Sequence, residues 1–208
     1  MKQFLLATSL AAILATPAFA EAQNFNLDGF IRVSASAGTT VNVTVGGDYN
    51  VFAESSAKGL ERLRVEVVGD ELQVGRKHKS ISWGRSERVT VTVTMPALSG
   101  LEVSSGASLD ARGVDAGAFA IDVSSGGDLA VVGRCDALTV DVSSGGNIDA
   151  RGLECRTAVS GASSGGNADI FASESINGDA SSGGNVDVYG HPKNVSKDTS
   201  SGGSVSIE

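Results

Sequence analysis

A repeat of nearly one phrase constrains the fold of this chain more than any other feature of its sequence. The copies read Ser-Ser-Gly-Gly, or Ser-Ser-Gly-Ala in the first, and begin at Ser104, Ser124, Ser143, Ser163, Ser181 and Ser200, which are 18 to 20 residues apart. This period is too short for a helical hairpin and fits one coil of a β-solenoid. The repeat predicts an all-β, single-domain, right-handed parallel β-helix with coils of about 19 residues.

Alternation within each copy indicates which residues face the core. The fifth and seventh positions after the first serine are apolar in every copy, as at Leu109 and Ala111. The sixth position, between them, carries aspartate in four copies: Asp110, Asp149, Asp169 and Asp187. Successive side chains of a strand point to opposite faces, so the apolar positions face inward and the aspartates face solvent.

The region before the repeat has strand patterns without a fixed period. Alternating stretches occur at Thr40 to Val45, Leu63 to Val68, Glu71 to Arg76 and Glu87 to Pro96, and residues 55–63 suit one short helix. We interpret residues 39–100 as irregular strands that also cap the solenoid, and residues 101–208 as regular coils. Such caps are expected because an uncovered end is an unpaired strand edge.

The first twenty residues have the pattern of a secretory signal peptide. Lys2 precedes an apolar run, and small residues at Ala18 and Ala20 suit cleavage before Glu21. No later stretch approaches the eighteen apolar residues of a membrane helix, so no transmembrane segment is expected. The sequence predicts a domain of residues 21–208 that is exported to the periplasm or the extracellular space.

The two cysteines test the register of the repeat. Cys135 lies eight residues before Ser143, and Cys155 lies eight residues before Ser163, so both occupy one column on neighbouring coils. Neighbouring strands are roughly 4.8 Å apart, which is close to the Cα separation that a disulfide accepts. We predict a Cys135–Cys155 disulfide, with two free buried thiols as the alternative.

Two polar columns raise the question of a bound cation. Asn147, Asn167 and Asn185 occupy the fourth position of consecutive copies, where stacked amides can hydrogen-bond along the axis. The aspartates of the sixth position repel one another by roughly 1 kcal/mol per neighbouring pair in water. One hypothesis is that a bound Ca²⁺ ion offsets this repulsion. Its ligands would be the asparagine oxygens together with Asp110, Asp149, Asp169 and Asp187. The alternative is that solvent and the nearby Arg112 and Arg151 offset the repulsion between the aspartates.

The eighth position supplies a candidate binding surface. It carries Arg112, Val132, Arg151, Phe171 and Tyr189, an exposed stripe of basic and aromatic residues. Such a stripe suits contact with a glycan or a protein partner. Ordinary variation of solvent-facing residues is the alternative interpretation.

Charge and motifs restrict the classes of function. The chain has a formal net charge of −8, and loss of Lys2 with the signal would make it more negative, which argues against nucleic acid as a partner. Its two histidines, His78 and His191, lie in no catalytic or metal-binding motif. We therefore expect a non-enzymatic envelope or secreted module. It is expected to need no cofactor other than the Ca²⁺ of the hypothesis above. A carbohydrate-active β-helix enzyme, a polysaccharide lyase or hydrolase, is the alternative, as is a purely structural envelope role.

These features together resemble one protein family. Irregular strands ending in VTVTMPALSGLEVSSGASLDARG, followed by recurrent Ser-Ser-Gly-Gly coils with Asn or Asp after the glycines, are similar to the putative autotransporter-adhesin head domain, or head GIN domain. The similarity extends from about Phe25 to the C-terminus. It implies a secreted or envelope β-helical protein of bacteria with an adhesin-like role, and it implies no catalytic residues.

Overall fold

The computed structural model describes residues 21–77 and 87–208, and these form one continuous β-sheet structure with a single short helix. The predicted signal peptide and His78 lie outside the described residues. The strands are β1 Glu21–Phe25, β2 Arg32–Ala35, β3 Thr40–Val45, β4 Asn50–Ser55, β5 Leu63–Val68, β6 Glu71–Arg76, β7 Thr90–Met95, β8 Gly100–Val103, β9 Ser108–Val123, β10 Asp128–Val142, β11 Asn147–Ala162, β12 Asn167–Ala180, β13 Asn185–Tyr189, β14 Asn194–Thr199 and β15 Ser204–Ile207. The helix, α1, is Ala57–Arg62.

The repeats stack as parallel coils in the predicted register. Strands β9 to β12 pair in chain order, and each aligns the same repeat positions, so that Leu129 lies opposite Leu109 and Ile148. The inward positions are buried, with Leu109 at 0% and Ile148 at 4% relative exposure. The predicted β-solenoid is confirmed.

The repeated phrase forms the turn between the two sides of each coil. In the third copy, Ser144 and Gly145 both have positive φ, at 50° and 72°, and the Gly146 N–H donates to the Ser143 carbonyl at 2.9 Å. Two consecutive left-handed residues closed by such a bond have the pattern of a type I′ turn, which favours glycine at the second position. The turns also stack, since the Gly145 N–H donates to the Ser164 carbonyl of the next coil at 3.2 Å.

The final glycine, present in five of the six copies, packs closely against the backbone of the neighbouring coil. A Cβ atom on Gly184 would lie 2.5 Å from the Ala162 carbonyl, well inside van der Waals contact. The two glycines of the phrase therefore serve different purposes: the first adopts a left-handed conformation and the second allows adjacent coils to approach.

The coils at the N-terminal end are stacked out of chain order. Strand β3 lies between β7 and β9, and β2 lies between β6 and β8, all in parallel pairs. The chain therefore forms the coil of β2 and β3 first and then the coil beneath it from β6 and β7. From β7 it passes the β2 and β3 coil to reach β8 and β9. The turn joining β2 to β3 has positive φ at Ala37 and Gly38, so it is a seventh copy of the repeated turn.

Antiparallel strands cover the N-terminal end of the stack. Strand β4 pairs with β7, and β5 pairs with β6, each in the antiparallel sense, while β1 pairs with the outer edge of β4. Helix α1 connects β4 to β5, and its Ser56 hydroxyl accepts a hydrogen bond from the Gly59 N–H at 3.2 Å. Within the described residues, no helix has the length and apolarity of a membrane span.

The predicted disulfide is confirmed. Cys135 and Cys155 are paired partners on β10 and β11, and their sulfur atoms are bonded with the Cα atoms 4.5 Å apart. Both residues are buried, at 6% and 1% exposure, in a column continued by Ala116 and Ala172. The bond therefore links two adjacent coils from within the core.

Candidate functional site

The asparagine column forms a hydrogen-bonded ladder along the axis. The Asn147 amide donates to Asp128 at 3.1 Å, the Asn167 amide to the Asn147 oxygen at 3.2 Å, and the Asn185 amide to the Asn167 oxygen at 3.0 Å. Each bond joins neighbouring coils, so the column ties the stack together as its spacing predicts.

Arg151 is the centre of the polar surface beside this ladder. Its guanidinium donates two hydrogen bonds to Asp149, from Nε at 3.0 Å and from Nη2 at 2.6 Å. The same group lies 3.6 Å from an oxygen of Asp169 on the next coil, and its Cζ atom lies 5.9 Å from the centroid of the Tyr189 ring two coils away. Arg151 thus joins residues that the sequence placed in separate sets, the binding stripe and the aspartate column.

The two aspartates next to Arg151 have pKa values shifted in opposite directions. The hydrogen bonds from Arg151 lower the pKa of the Asp149 carboxyl. Burial raises the pKa of Asp169, against the opposing influence of Arg151. The surface therefore presents one strongly ionised carboxylate beside one that takes up a proton more readily.

The aromatic part of the stripe lies directly beyond Arg151. Phe171 and Tyr189 are paired partners on β12 and β13, and both are half-buried. Phe171 lies over the next coil, where a Cβ atom on Gly190 would be 2.8 Å from its Cζ atom. We name Asp149, Arg151, Asp169, Phe171 and Tyr189 the Arg151 cluster.

The rest of the stripe lies apart from this cluster. Val132, 45% exposed, pairs with Arg112 of β9, and the register between β10 and β11 shifts at this point. Arg112 is exposed on β9, and among the described residues no salt bridge involves it. The structure therefore brings together Arg151, Phe171 and Tyr189, and leaves Arg112 outside.

A groove of about 310 Å³ runs alongside the Arg151 cluster. It forms at Ala130, which interrupts the aspartate column between Asp110 and Asp149, and the ladder residues Asp128 and Asn147 line its other side. Oxygen and amide groups thus face a shallow space, which shares Asp149 and Asp169 with the Arg151 cluster. Such groups suit hydrogen bonding to a ligand rich in hydroxyls.

Calcium coordination has no ready-made geometry on this surface. Among residues 21–77 and 87–208, no group of three or more His, Cys, Asp or Glu side chains is arranged to hold a metal ion. The Arg151 guanidinium contacts both Asp149 and Asp169, and so supplies positive charge where the calcium hypothesis placed a cation. Asp187 lies beside Asp169 in the next coil. Calcium binding by these residues stays a prediction that needs a binding measurement.

A second, larger groove lies on the other side of the repeated turn and was not predicted. It has a volume of about 520 Å³ and is lined by four carboxylates, Asp122, Asp141, Asp179 and Asp198, and by turn serines. It opens at Gly161, the one position of this column without an acidic side chain. Burial and the neighbouring Asp141 raise the pKa of Asp122. We name this surface the acidic groove.

A third surface carries ion pairs between coils. Arg134 donates two hydrogen bonds to Asp115 of the preceding coil, at 3.0 and 2.6 Å. Arg156 donates two to Glu174 of the following coil, at 3.0 and 3.1 Å, and lies 3.8 Å from Asp136. Its charged groups are therefore engaged with one another.

Fold and surfaces together define a class of protein. Parallel coils locked by ladders and a disulfide present long outward columns of polar side chains, which is the arrangement of a β-solenoid surface module. The chain belongs to the family described as putative auto-transporter adhesin, head GIN domain, whose model matches residues 29–192. The resemblance stated from the sequence is confirmed.

Solved structures show the same fold. A putative adhesin from Bacteroides fragilis is similar with a TM-score of 0.73 at 15% identity, covering 91% of this chain and 97% of the other. A putative adhesin from Parabacteroides distasonis has a TM-score of 0.55 at 15% identity, with 92% and 98% covered. A putative lipid binding protein from the same species has a TM-score of 0.52 at 15% identity, with 92% and 98% covered. Comparison with curated proteins finds no match.

Proposed function

We propose that this protein is an exported, adhesin-like module without catalytic activity, and that it binds an uncharged glycan at the Arg151 cluster. The observation that carries the proposal is the position of Arg151, which joins two carboxylates to the Tyr189 ring beside an open groove. Its membership of a family of adhesin-like domains and its adhesin-like structural neighbours support the general role.

The chemistry of the cluster favours a sugar as the ligand. The flat faces of half-buried Phe171 and Tyr189 can pack against the apolar face of a pyranose ring. Carboxylate oxygens, the guanidinium and the asparagine amides offer acceptors and donors for the sugar hydroxyls. A few polar groups fixed beside an aromatic surface are typical of small-ligand sites.

The charges of the cluster favour a neutral ligand. Arg151 is already engaged by Asp149 and Asp169, and Asp110 and Asp128 also line the groove. The surface around the single guanidinium is therefore net negative, and it would repel sulfated or uronic acid polymers. Uncharged glycans of the cell envelope or of a host surface do not meet this repulsion.

Export supports an envelope or extracellular location for this binding. The adhesin-like family and the disulfide both suggest a protein that leaves the reducing cytoplasm. We infer that the predicted signal peptide directs export, with the mature domain in the periplasm or outside the cell.

The test is retention of the purified mature protein on immobilised neutral and acidic polysaccharides, with soluble products measured in the same samples. We expect retention on a neutral polymer without products, a loss of about tenfold or more in affinity for Y189A, and little change for Y189F, which keeps the ring. The variant V159A serves as the control, because Val159 is 50% exposed in a different column from the cluster. Equal retention of Y189A and wild type would contradict the proposed site, and absence of retention would contradict the glycan proposal.

One observation favours a second candidate, a carbohydrate-active enzyme. Asp149 and Asp169 lie on neighbouring coils with pKa values shifted apart, which is the pattern of an acid and base pair. If soluble sugar products appear and D169N abolishes them while keeping retention, this candidate replaces the binding proposal. A protein that shows neither retention nor products would favour the purely structural envelope role.

A further inference from the structure

One inward-facing column changes character along the stack. Its members on β8, β9 and β10 are Leu101, Ile121 and Val140, which are apolar and at most 2% exposed. The paired partner on β11 is Ser160, which is 1% exposed and whose hydroxyl has no hydrogen-bond partner among the described residues. The next member is Gly178, and the last, on β14, is Lys197. The column that begins as hydrophobic core thus ends in a charged residue.

The Lys197 side chain reaches across the end of the core. Its Nζ atom donates a hydrogen bond to the Val205 carbonyl of β15 at 3.0 Å, in partly buried surroundings. Val205 packs in turn above Gly178, where an added Cβ atom would lie 3.0 Å from its Cγ1 atom. The ammonium group therefore lies across the last coil and bridges its two strands.

This end of the stack is an open strand edge. Among the described residues, β14 pairs only with β12 and β15 only with β13, so the outer edges of both strands have no partner. Val195 occupies the column of Leu138 and Ile176, which are 1% and 2% exposed, yet it is itself 43% exposed. The N-terminal end, by contrast, is covered by antiparallel strands and α1.

We propose that this edge is a surface on which a second copy of the chain would stack, and that Lys197 prevents the stacking. Open edges with apolar columns template pairing between chains, and inward-pointing charges are one device that prevents it. A second copy docked on β14 and β15 would enclose the Lys197 ammonium in an extended core. The nearest residues of its own column are Gly178 and Ser160, which carry no charge to pair with it. A buried ammonium without a counter-ion strongly opposes such an association.

The columns of the repeat indicate that the molecule whose stacking Lys197 prevents is a second copy of the chain. The inward residues Val195, Val205 and Ile207 continue the columns of the preceding coils. Because the N-terminal end of a second copy is covered, its own β14 and β15 edge would dock here and present apolar residues at these positions. Lys197 is the member of β14 that breaks this match.

The test is sedimentation velocity of the mature chain as wild type, K197L and K193L over a range of concentrations. Lys193 precedes β14 and its N–H donates to the carbonyl of exposed Glu174, so K193L removes the same charge from the outer side of this end. We expect wild type and K193L to sediment as monomers, and K197L to form dimers or larger species with an association constant at least about a hundredfold higher.

Further variants keep the test decisive. If K197L does not fold, as judged by circular dichroism, K197Q removes the charge while keeping a polar side chain and is expected to associate as well. The double variant V195K/K197L restores an inward charge at the same edge and should return the protein to monomer. A folded, monomeric K197L and K197Q, an associating wild type, or dimers that persist in the double variant would each overturn the proposal.

Discussion

Reduction of the disulfide between Cys135 and Cys155 should lower stability by an amount that the loop length sets. The bond closes a loop with a sequence separation of 20 residues. Loop-closure entropy for this length corresponds to about 3 kcal/mol at room temperature. Dividing by a urea dependence of about 2 kcal/mol per molar predicts a fall of about 1.5 M in the unfolding midpoint.

The flanking residues make a double alanine variant a suitable companion. Ala116 and Ala172 already occupy the same inward column on the outer coils, so C135A/C155A places alanine in surroundings that accept it. We expect this variant to unfold near the midpoint of the reduced wild type, and addition of a reductant to leave its midpoint unchanged.

The assay is urea unfolding followed by far-ultraviolet circular dichroism, with and without a phosphine reductant. Free thiols are counted in parallel to establish that reduction is complete. Oxidised and fully reduced wild type that unfold within about 0.2 M of one another would refute the reasoning, because the disulfide would then contribute less than about 0.5 kcal/mol.

Three further predictions test the packing and charges of the coils. Burial raises the pKa of Asp122, so its ionised form opposes folding above that pKa, and the opposition vanishes once the carboxyl is protonated in both states. In thermal melts, D122N should therefore be more stable than wild type by about 0.5 kcal/mol at pH 7 and equally stable near pH 3. A stabilisation by D122N that is larger at pH 3 than at pH 7 would contradict this pH dependence. G184A should lower the free energy of unfolding in urea by about 3 kcal/mol, because its methyl group meets the Ala162 backbone. G183A should lower it by about 1 kcal/mol through its positive φ alone, because its Cβ atom meets nothing within 4 Å. Equal losses in the two variants would contradict the packing explanation. Because Arg151 already joins two carboxylates, excess calcium should leave the melting temperature of wild type unchanged and raise that of R151A; a rise in wild type would support the calcium hypothesis from the sequence.

The repeated part of the fold was predictable because each coil carries its own signals. The glycines of the phrase mark the turn, and apolar residues such as Leu129 and Val131 mark the inward face. Two cysteines at equal distances from their serines established the register independently, and the disulfide confirms it. These are local patterns, so one sequence suffices to read them.

The order of the N-terminal coils was not predictable from the same kind of pattern. The turn at Ala37 and Gly38 retains only fragments of the repeated phrase, and more than fifty residues separate it from the next copy. Nothing in the alternation of Thr40 to Val45 indicates that this strand lies between β7 and β9. Strand pairing between distant segments depends on the stability of the whole stack, which local periodicity does not report.

The candidate site was predictable as a set of columns and not as a cluster. The eighth-position residues Arg151, Phe171 and Tyr189 lie on successive coils, with Arg151 exposed and both rings half-buried. The sequence named Arg112 and Arg151 as an alternative source of positive charge for the aspartate column. Arg151 contacts Asp149 and Asp169, whereas among the described residues Arg112 lies in no salt bridge. The acidic column of the second groove is visible in the sequence, but the groove was not predicted, because it opens where Gly161 replaces an acidic side chain.

The location of ligand binding is the most direct test of the proposed function. Amide chemical shifts of the isotope-labelled mature protein would be followed by NMR during titration with the neutral glycan that it retains. We predict the largest changes in residues 147–151, 167–171 and 185–189, which contain the Arg151 cluster and part of the groove beside it. Changes concentrated in residues 141–143, 161–163 and 179–181, which line the acidic groove, would contradict the assignment of the Arg151 cluster as the binding site.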